Sequence, residues 1–220
     1  MGNMNKSKYI KPNILIDVFL NATLFTNQLI DYALVCLEEK KGCDGKSAYV
    51  SRISIEEIKK VMDVTDLEDE LCCVTSELTG VTVEEAEGWI VLIPRVDFEN
   101  GVLELKFNPR LSSYFYNVKS NYTIFELSQM LKFKTEAPYK LYEYLKRKRM
   151  NCAGEGRWSE EISLEELCFK IGISNSSEIA KDILENVIEE TNNISDISIE
   201  YEFYALNSNS NMVKIEVSEK

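Results

Sequence analysis

The chain has 220 residues, of which 45% are hydrophobic, and a formal net charge of −12, so it can bury a core and is not composed like a disordered protein. Such bulk acidity repels a polyanion, and any nucleic-acid contact must come from a local basic surface. Histidine is absent, and Cys36, Cys43, Cys72, Cys73, Cys152 and Cys168 form no Cys-x-x-Cys pair, which removes the usual zinc spacings and the commonest general base, so neither metal, cofactor nor catalytic residue is expected.

Lys6, Lys8 and Lys11 precede Ile14-Leu15-Ile16, but Asp17 cuts the apolar run too early for a signal peptide or a membrane span. A cytoplasmic protein without a membrane partner is expected. The cysteines then read as small buried hydrophobes in a reducing compartment, and the Asn-x-Ser/Thr triplets at Asn21, Asn121 and Asn193 have no glycosylation to receive.

From Thr23 to Glu39 apolar residues recur at three and four, predicting an amphipathic helix ended by Gly42. The string Gly42-Cys43-Asp44-Gly45-Lys46-Ser47 resembles the end of a phosphate-binding loop. That loop needs a glycine where Lys40 stands and a preceding strand, so a solvated connection is the better reading. Ser54, followed by Glu56 and Glu57, caps a short helix through Met62. A turn at 63–65 and a second helix from Asp66 complete a helix-turn-helix. Two β-rich segments follow, Trp89 to Phe98 and Val102 to Phe107, joined by Glu99-Asn100-Gly101 as a hairpin turn. A hairpin behind a helix-turn-helix is a wing.

The order then repeats. Ile124 to Leu131 and Pro138 to Arg149 read as helices, Ser163 to Ile171 as a capped helix stopped by Gly172, and Glu178 to Asn193 as a longer amphipathic helix. Ile197 to Leu206 and Val213 to Val217 form a closing hairpin around the polar 207–211 segment. The expected fold is therefore α+β, predominantly helical, with two tandem winged-helix domains covering 1–118 and 119–220.

Charge is uneven along the chain. Residues 119–157 carry nine Lys or Arg against four acids, a local balance of +5. The densest part, Lys146-Arg147-Lys148-Arg149, ends a predicted helix. It serves either the helix C-terminal dipole or DNA phosphates, where each cation releases counterions, and Lys132 and Lys134 extend the same island. From Trp158 onward the balance falls to −10.

The letters also carry a resemblance. The segments Leu103-Glu104-Leu105-Lys106-Phe107-Asn108-Pro109-Arg110-Leu111-Ser112-Ser113-Tyr114-Phe115, Tyr122-Thr123 and Ala137-Pro138-Tyr139-Lys140-Leu141-Tyr142-Glu143-Tyr144-Leu145-Lys146 resemble the core signature of plasmid replication initiator (Rep) proteins. Ile162 to Leu167 and Lys170 to Ile173 look like the first helix of that family's second helix-turn-helix. Val187 to Asn192, with Asp196 to Tyr201, looks like its recognition helix passing into the wing. Pattern similarity extends back to Asn13.

The resemblance implies a second domain that binds repeated duplex sites at an origin and a first domain that dimerises or touches further DNA. Host replication proteins are implied as additional partners. Where relatives carry a basic run on the recognition helix, this chain has Ala180-Lys181-Asp182, then Glu185, Glu189 and Glu190. Lys181 and the polar residues Ser174, Asn175, Ser176 and Ser177 are thus the candidate readers, against the plainer reading of those four as a helix cap and turn. Two alternatives remain open: a Rep-like dimerising interaction module with weakened DNA binding, and a winged-helix transcription regulator.

Overall fold

The computed structural model describes residues 8–18, 22–41, 45–62, 67–85, 88–149, 156–174, 177–207 and 210–220. Among them 46% are helical and 37% lie in strands, so the fold is mixed α+β rather than predominantly helical. The chain divides into two compact units, residues 1–131 and 132–220.

The first unit opens with β1 (Lys8–Pro12) and α1 (Asn13–Val18). Helix α2 (Leu24–Val35) starts at Thr23, whose hydroxyl accepts from the Thr26 N–H. It stops four residues short of the expected Glu39 because Leu37–Lys41 forms β2, paired with β3 (Ser47–Ser54). The helical spacing was genuine, but ladder bonds to β3 hold this stretch extended. The Gly45-Lys46-Ser47 string consequently lies between two antiparallel strands, not between a strand and a helix, which removes the phosphate-loop geometry.

After β3 come α3 (Ile55–Met62), α4 (Leu67–Gly80), a small hairpin β4 (Thr82–Glu85) and β5 (Gly88–Val91), then β6 (Arg95–Glu99) and β7 (Val102–Phe107). Ser54 caps α3 as expected, accepting from the Glu57 N–H. The wing turn is the two-residue Asn100-Gly101, both with positive φ (54° and 74°), the conformation that suits a tight hairpin. The sheet runs β2-β3-β7-β6, so the last strand of the wing pairs with the strand that precedes the helix-turn-helix.

A 3-10 turn at Pro109–Leu111 and α5 (Ser112–Phe115) lead to β8 (Tyr122–Glu126) and α6 (Leu127–Met130). The sequence suggested a helix from Ile124 to Leu131. Instead β8 pairs antiparallel with β1, Lys8 opposite Glu126 through Pro12 opposite Tyr122. This pairing draws residues 119–131 into the first unit and moves the division from the expected 118 to 131. Beneath it, Lys11 Nζ meets Asp31 Oδ1 of α2 at 2.9 Å with neither side chain exposed, and Gln28 donates to the Met130 carbonyl.

The second unit repeats the winged-helix order: α7 (Glu136–Arg149), β9 (Arg157–Ser163), α8 (Leu164–Ile171), α9 (Ser177–Ile194), β10 (Ile197–Asn207) and β11 (Ser210–Glu219). Its sheet runs β10-β11-β9. As in the first unit, the strand before the helix-turn-helix pairs with the last strand of the wing. Strand β9 was not expected from the sequence. Ser163 caps α8 by accepting from the Glu166 N–H, and Gly172 ends it in the left-handed region (φ 78°) while Ile173 N–H returns to the Cys168 carbonyl. Tyr139, Tyr142, Leu145, Leu167, Leu184, Ile197 and Ile215 fill the core. Of the cysteines, Cys168 is buried, Cys36 half-buried and Cys73 exposed, so the expectation of uniform burial fails at Cys73.

The sealed Lys11–Asp31 pair gives a stability test. Asp31→Ala strands a buried ammonium and is expected to cost about 3–5 kcal/mol, whereas Lys11→Met with Asp31→Leu recovers most of that loss. Urea unfolding reads both; a single variant with an unchanged midpoint would contradict the sealed pair.

Candidate nucleic-acid interface

In the second unit α8, the turn after Gly172 and α9 form the helix-turn-helix, and β10–β11 forms the wing. Helix α9 buries Ala180, Leu184, Val187, Ile188 and Thr191 against the core. The opposite side carries Ile179, Asp182, Asn186, Glu189 and Asn193, all exposed. Ser174 is exposed on the turn. Asn175 and Ser176 lie outside the described residues, and Ser177 begins α9.

Lys181 is half-buried, its ammonium 5.6 Å from the centre of the Phe203 ring of β10. The flank of α9 toward β10 therefore holds the cation by a cation–π contact. Tyr201 of the same strand donates to Glu185, and burial first, with that carboxylate second, raises the Tyr201 hydroxyl above the usual phenol range. Glu190 accepts from the Thr135 hydroxyl at 2.6 Å. Two of the four acids that follow Lys181 on α9 are thus engaged within the unit. Asp182 and Glu189 face solvent.

The Lys146 to Arg149 cluster is largely turned inward. Lys146 reaches Asp196 at 3.1 Å, with 9% of its side chain exposed, and lies over the Tyr142 ring, while Tyr142 donates to the same carboxylate. Lys148 meets Glu160 at 2.5 Å and Tyr144 donates to that glutamate at 2.9 Å. Burial and the Glu160 carboxylate push the Tyr144 hydroxyl far above the usual phenol range, which keeps it a donor. Arg149 pairs with Glu219 and lies 5.9 Å from the Trp158 ring centre. Arg147 is half-buried and also engaged. These contacts clamp α7 to β9 and to the open base of the β10–β11 hairpin, where Ile197 pairs with Glu219, a role neither the dipole nor the phosphate reading anticipated.

Lys132 and Lys134 are exposed beside α7, and Lys134 forms no ion pair among the described residues. In the first unit the wing cations are neutralised as well: Arg52 pairs with Glu104, Arg95 with Asp97, and Lys106 with both acids. Hydrogen bonds from Arg95 and then Lys106 hold the Asp97 carboxyl below the usual carboxylate range.

Sequence reasoning missed Tyr201 and Phe203, which set the direction of Glu185 and Lys181. The available signal was two aromatics at strand spacing, placing both rings on one face of β10, 5.4 Å apart.

Residues 8–146 match the model of the family described as "Initiator Replication protein, WH1". The chain belongs to that family. Among solved structures it is similar to the Pi initiator protein in complex with iteron DNA, at 16% identity and a TM-score of 0.75 over 98% of each chain. That likeness concerns the fold. Domains 2 and 3 of RctB align over 94% of this chain and 81% of theirs at 15% identity, with a TM-score of 0.42. No curated protein matches. Among the described residues no helix is long and apolar enough to cross a membrane.

The clamp on α7 makes a specific prediction. Lys148→Ala is expected to lower stability by about 1 kcal/mol, as for a partly exposed ion pair, and to leave the salt dependence of DNA binding unchanged. Anisotropy titrations of labelled duplex at several salt concentrations check this. A slope shallower by about 0.9 would return Lys148 to the phosphates.

Proposed function

We propose that this initiator-family chain acts as a plasmid-type replication initiator that binds repeated duplex sites at an origin through its second winged helix and recruits replication machinery there. The observation that carries the reading is the winged-helix topology of residues 132–220, with Ile179 in the first turn of α9 exposed and the β10–β11 hairpin following the helix. The start of α9 enters the major groove, where the first residues of a recognition helix meet base edges, and the hairpin approaches the backbone. The similar Pi initiator protein was solved with iteron DNA, which supports the choice of partner. The work of this protein is binding rather than catalysis, in keeping with a sequence that has no histidine.

The contacts divide by chemistry. By their place in the sequence just before and at the first residue of α9, Ser174, Asn175, Ser176 and Ser177 are the candidates to supply hydroxyl, amide and backbone donors for phosphate or base edges. Lys181, Lys132 and Lys134 supply cations. Lys146, Arg147, Lys148 and Arg149 contribute mainly by holding α7 against the wing, and through it the orientation of α9. Dimerisation through residues 1–118 and recruitment of host proteins rest on the resemblance alone.

A second reading is favoured by one observation: the outward face of α9 carries Asp182 and Glu189 in a segment whose charge balance is −10. On that reading the unit is an interaction module. Titration against duplex from its own replicon and an unrelated duplex, at two salt concentrations, separates the two. The initiator reading expects sequence-dependent, salt-sensitive binding, and Lys181→Ala should make the salt slope shallower by about 0.9. No binding at low salt would sink it and leave the interaction module.

A further inference from the structure

The third residue of α9, Ile179, is 54% exposed, and Phe169 on the other side of the same turn is 72% exposed. A solvent-facing apolar side chain is common; one at the position of a recognition helix that faces base edges has a specific use. Asp182 follows one turn later on the same side of the helix, exposed and without an ion pair among the described residues.

The first two turns of α9 carry no arginine, glutamine or asparagine to read a purine. Helix α9 contains no arginine and no glutamine, and its single lysine, Lys181, lies over the Phe203 ring. Asn186 is committed in part, its amide donating to the Asp182 carbonyl at 2.8 Å. Guanine is read by paired donors from Arg or Lys, and adenine by the amide of Asn or Gln. What α9 presents in its first turns is instead an alkyl group and a carboxylate. In the major groove these complement the C5-methyl of thymine and the N4 amino group of cytosine.

We propose that Ile179 and Asp182 make α9 a pyrimidine reader, Ile179 packing on a thymine methyl and Asp182 accepting from a cytosine amino group. The inference rests on the DNA-binding reading above and specifies its target. Three residues of helix rise about 4.5 Å, comparable to the spacing of about 3.4 Å between base pairs. The two side chains therefore address adjacent or nearly adjacent pyrimidines on one strand. It also gives the acidic helix a role: a carboxylate that repels phosphates on an unrelated sequence is satisfied only where a cytosine amino group meets it, so Asp182 contributes discrimination rather than affinity.

The experiment uses the full chain and duplexes carrying the repeats of its own replicon, in three forms: native, with every thymine replaced by deoxyuridine, and with cytosines replaced by N4-methylcytosine. Loss of one contacted methyl should weaken wild-type binding about fourfold, and the Ile179→Ala variant should be indifferent to that replacement. Asp182→Ala should lose the N4-methyl penalty and bind unrelated duplex more tightly than wild type. Both side chains are exposed, so neither variant threatens the fold. If wild type prefers its own repeats to an unrelated duplex yet binds all three forms equally, or if the deoxyuridine effect persists undiminished in Ile179→Ala, the pyrimidine assignment is wrong while the interface stands. If wild type shows no sequence preference at all, both readings fail together.

Discussion

The second unit depends on how a chain with an excess of acid disposes of its cations. Helix α7 ends in four consecutive basic residues, and the structure brings Asp196, Glu160 and Glu219 to Lys146, Lys148 and Arg149. Each pairing is completed by an aromatic ring, from Tyr142, Tyr144 or Trp158. A lone exposed ion pair contributes little, but several sharing acceptors with buried tyrosines form a network whose members fix one another's geometry. Asp196 stands at the junction of α9 and β10, Glu160 in β9 and Glu219 at the end of β11. One helix end therefore orients both the recognition helix and its wing.

That arrangement changes how an acidic initiator can hold DNA. With the α7 cations occupied, nonspecific phosphate attraction from the described residues of the second unit falls to a few lysines, and the acids of α9 oppose any wrongly placed duplex. Glu185 and Glu190 are drawn aside by Tyr201 and Thr135, which lowers the repulsion without removing Asp182 and Glu189 from the outward face. On the proposed initiator reading, the physical consequence is weak general affinity and a larger share of the binding energy in base-specific contacts. For a replicon that must be found among many competing sites, the ratio of specific to nonspecific binding matters more than affinity itself.

What the sequence made legible was local. The Ser163 cap and the Gly172 stop of α8, the Ser54 cap of α3 and the Asn100-Gly101 turn each depend on residues within one turn of the chain, and each appears where spacing put it. The missed elements depend on partners far away. Strand β1 finds β8 more than a hundred residues later, β2 is held by β3 against its own helical period, and β9 exists because β11 returns to cover it. The basic cluster was visible as composition, yet its meaning lay in Asp196, 50 residues from Lys146, and in acids of other elements that no local pattern ties to it.

The same distinction separates the two halves of the candidate interface. Residues 174–177, of which the structure describes Ser174 and the Ser177 backbone, were singled out by position, since a polar turn before an amphipathic helix is a local signal. The direction of Lys181 was not, because it is fixed by Phe203 across the helix–strand packing. A cation held on an aromatic ring keeps its charge but loses freedom to swing toward guanine, so on the proposed DNA-binding reading Lys181 suits a phosphate better than a base edge. If α9 reads bases as proposed, readout passes to the uncharged and acidic residues one helical face away, and the acidity that first argued against DNA binding becomes a source of specificity.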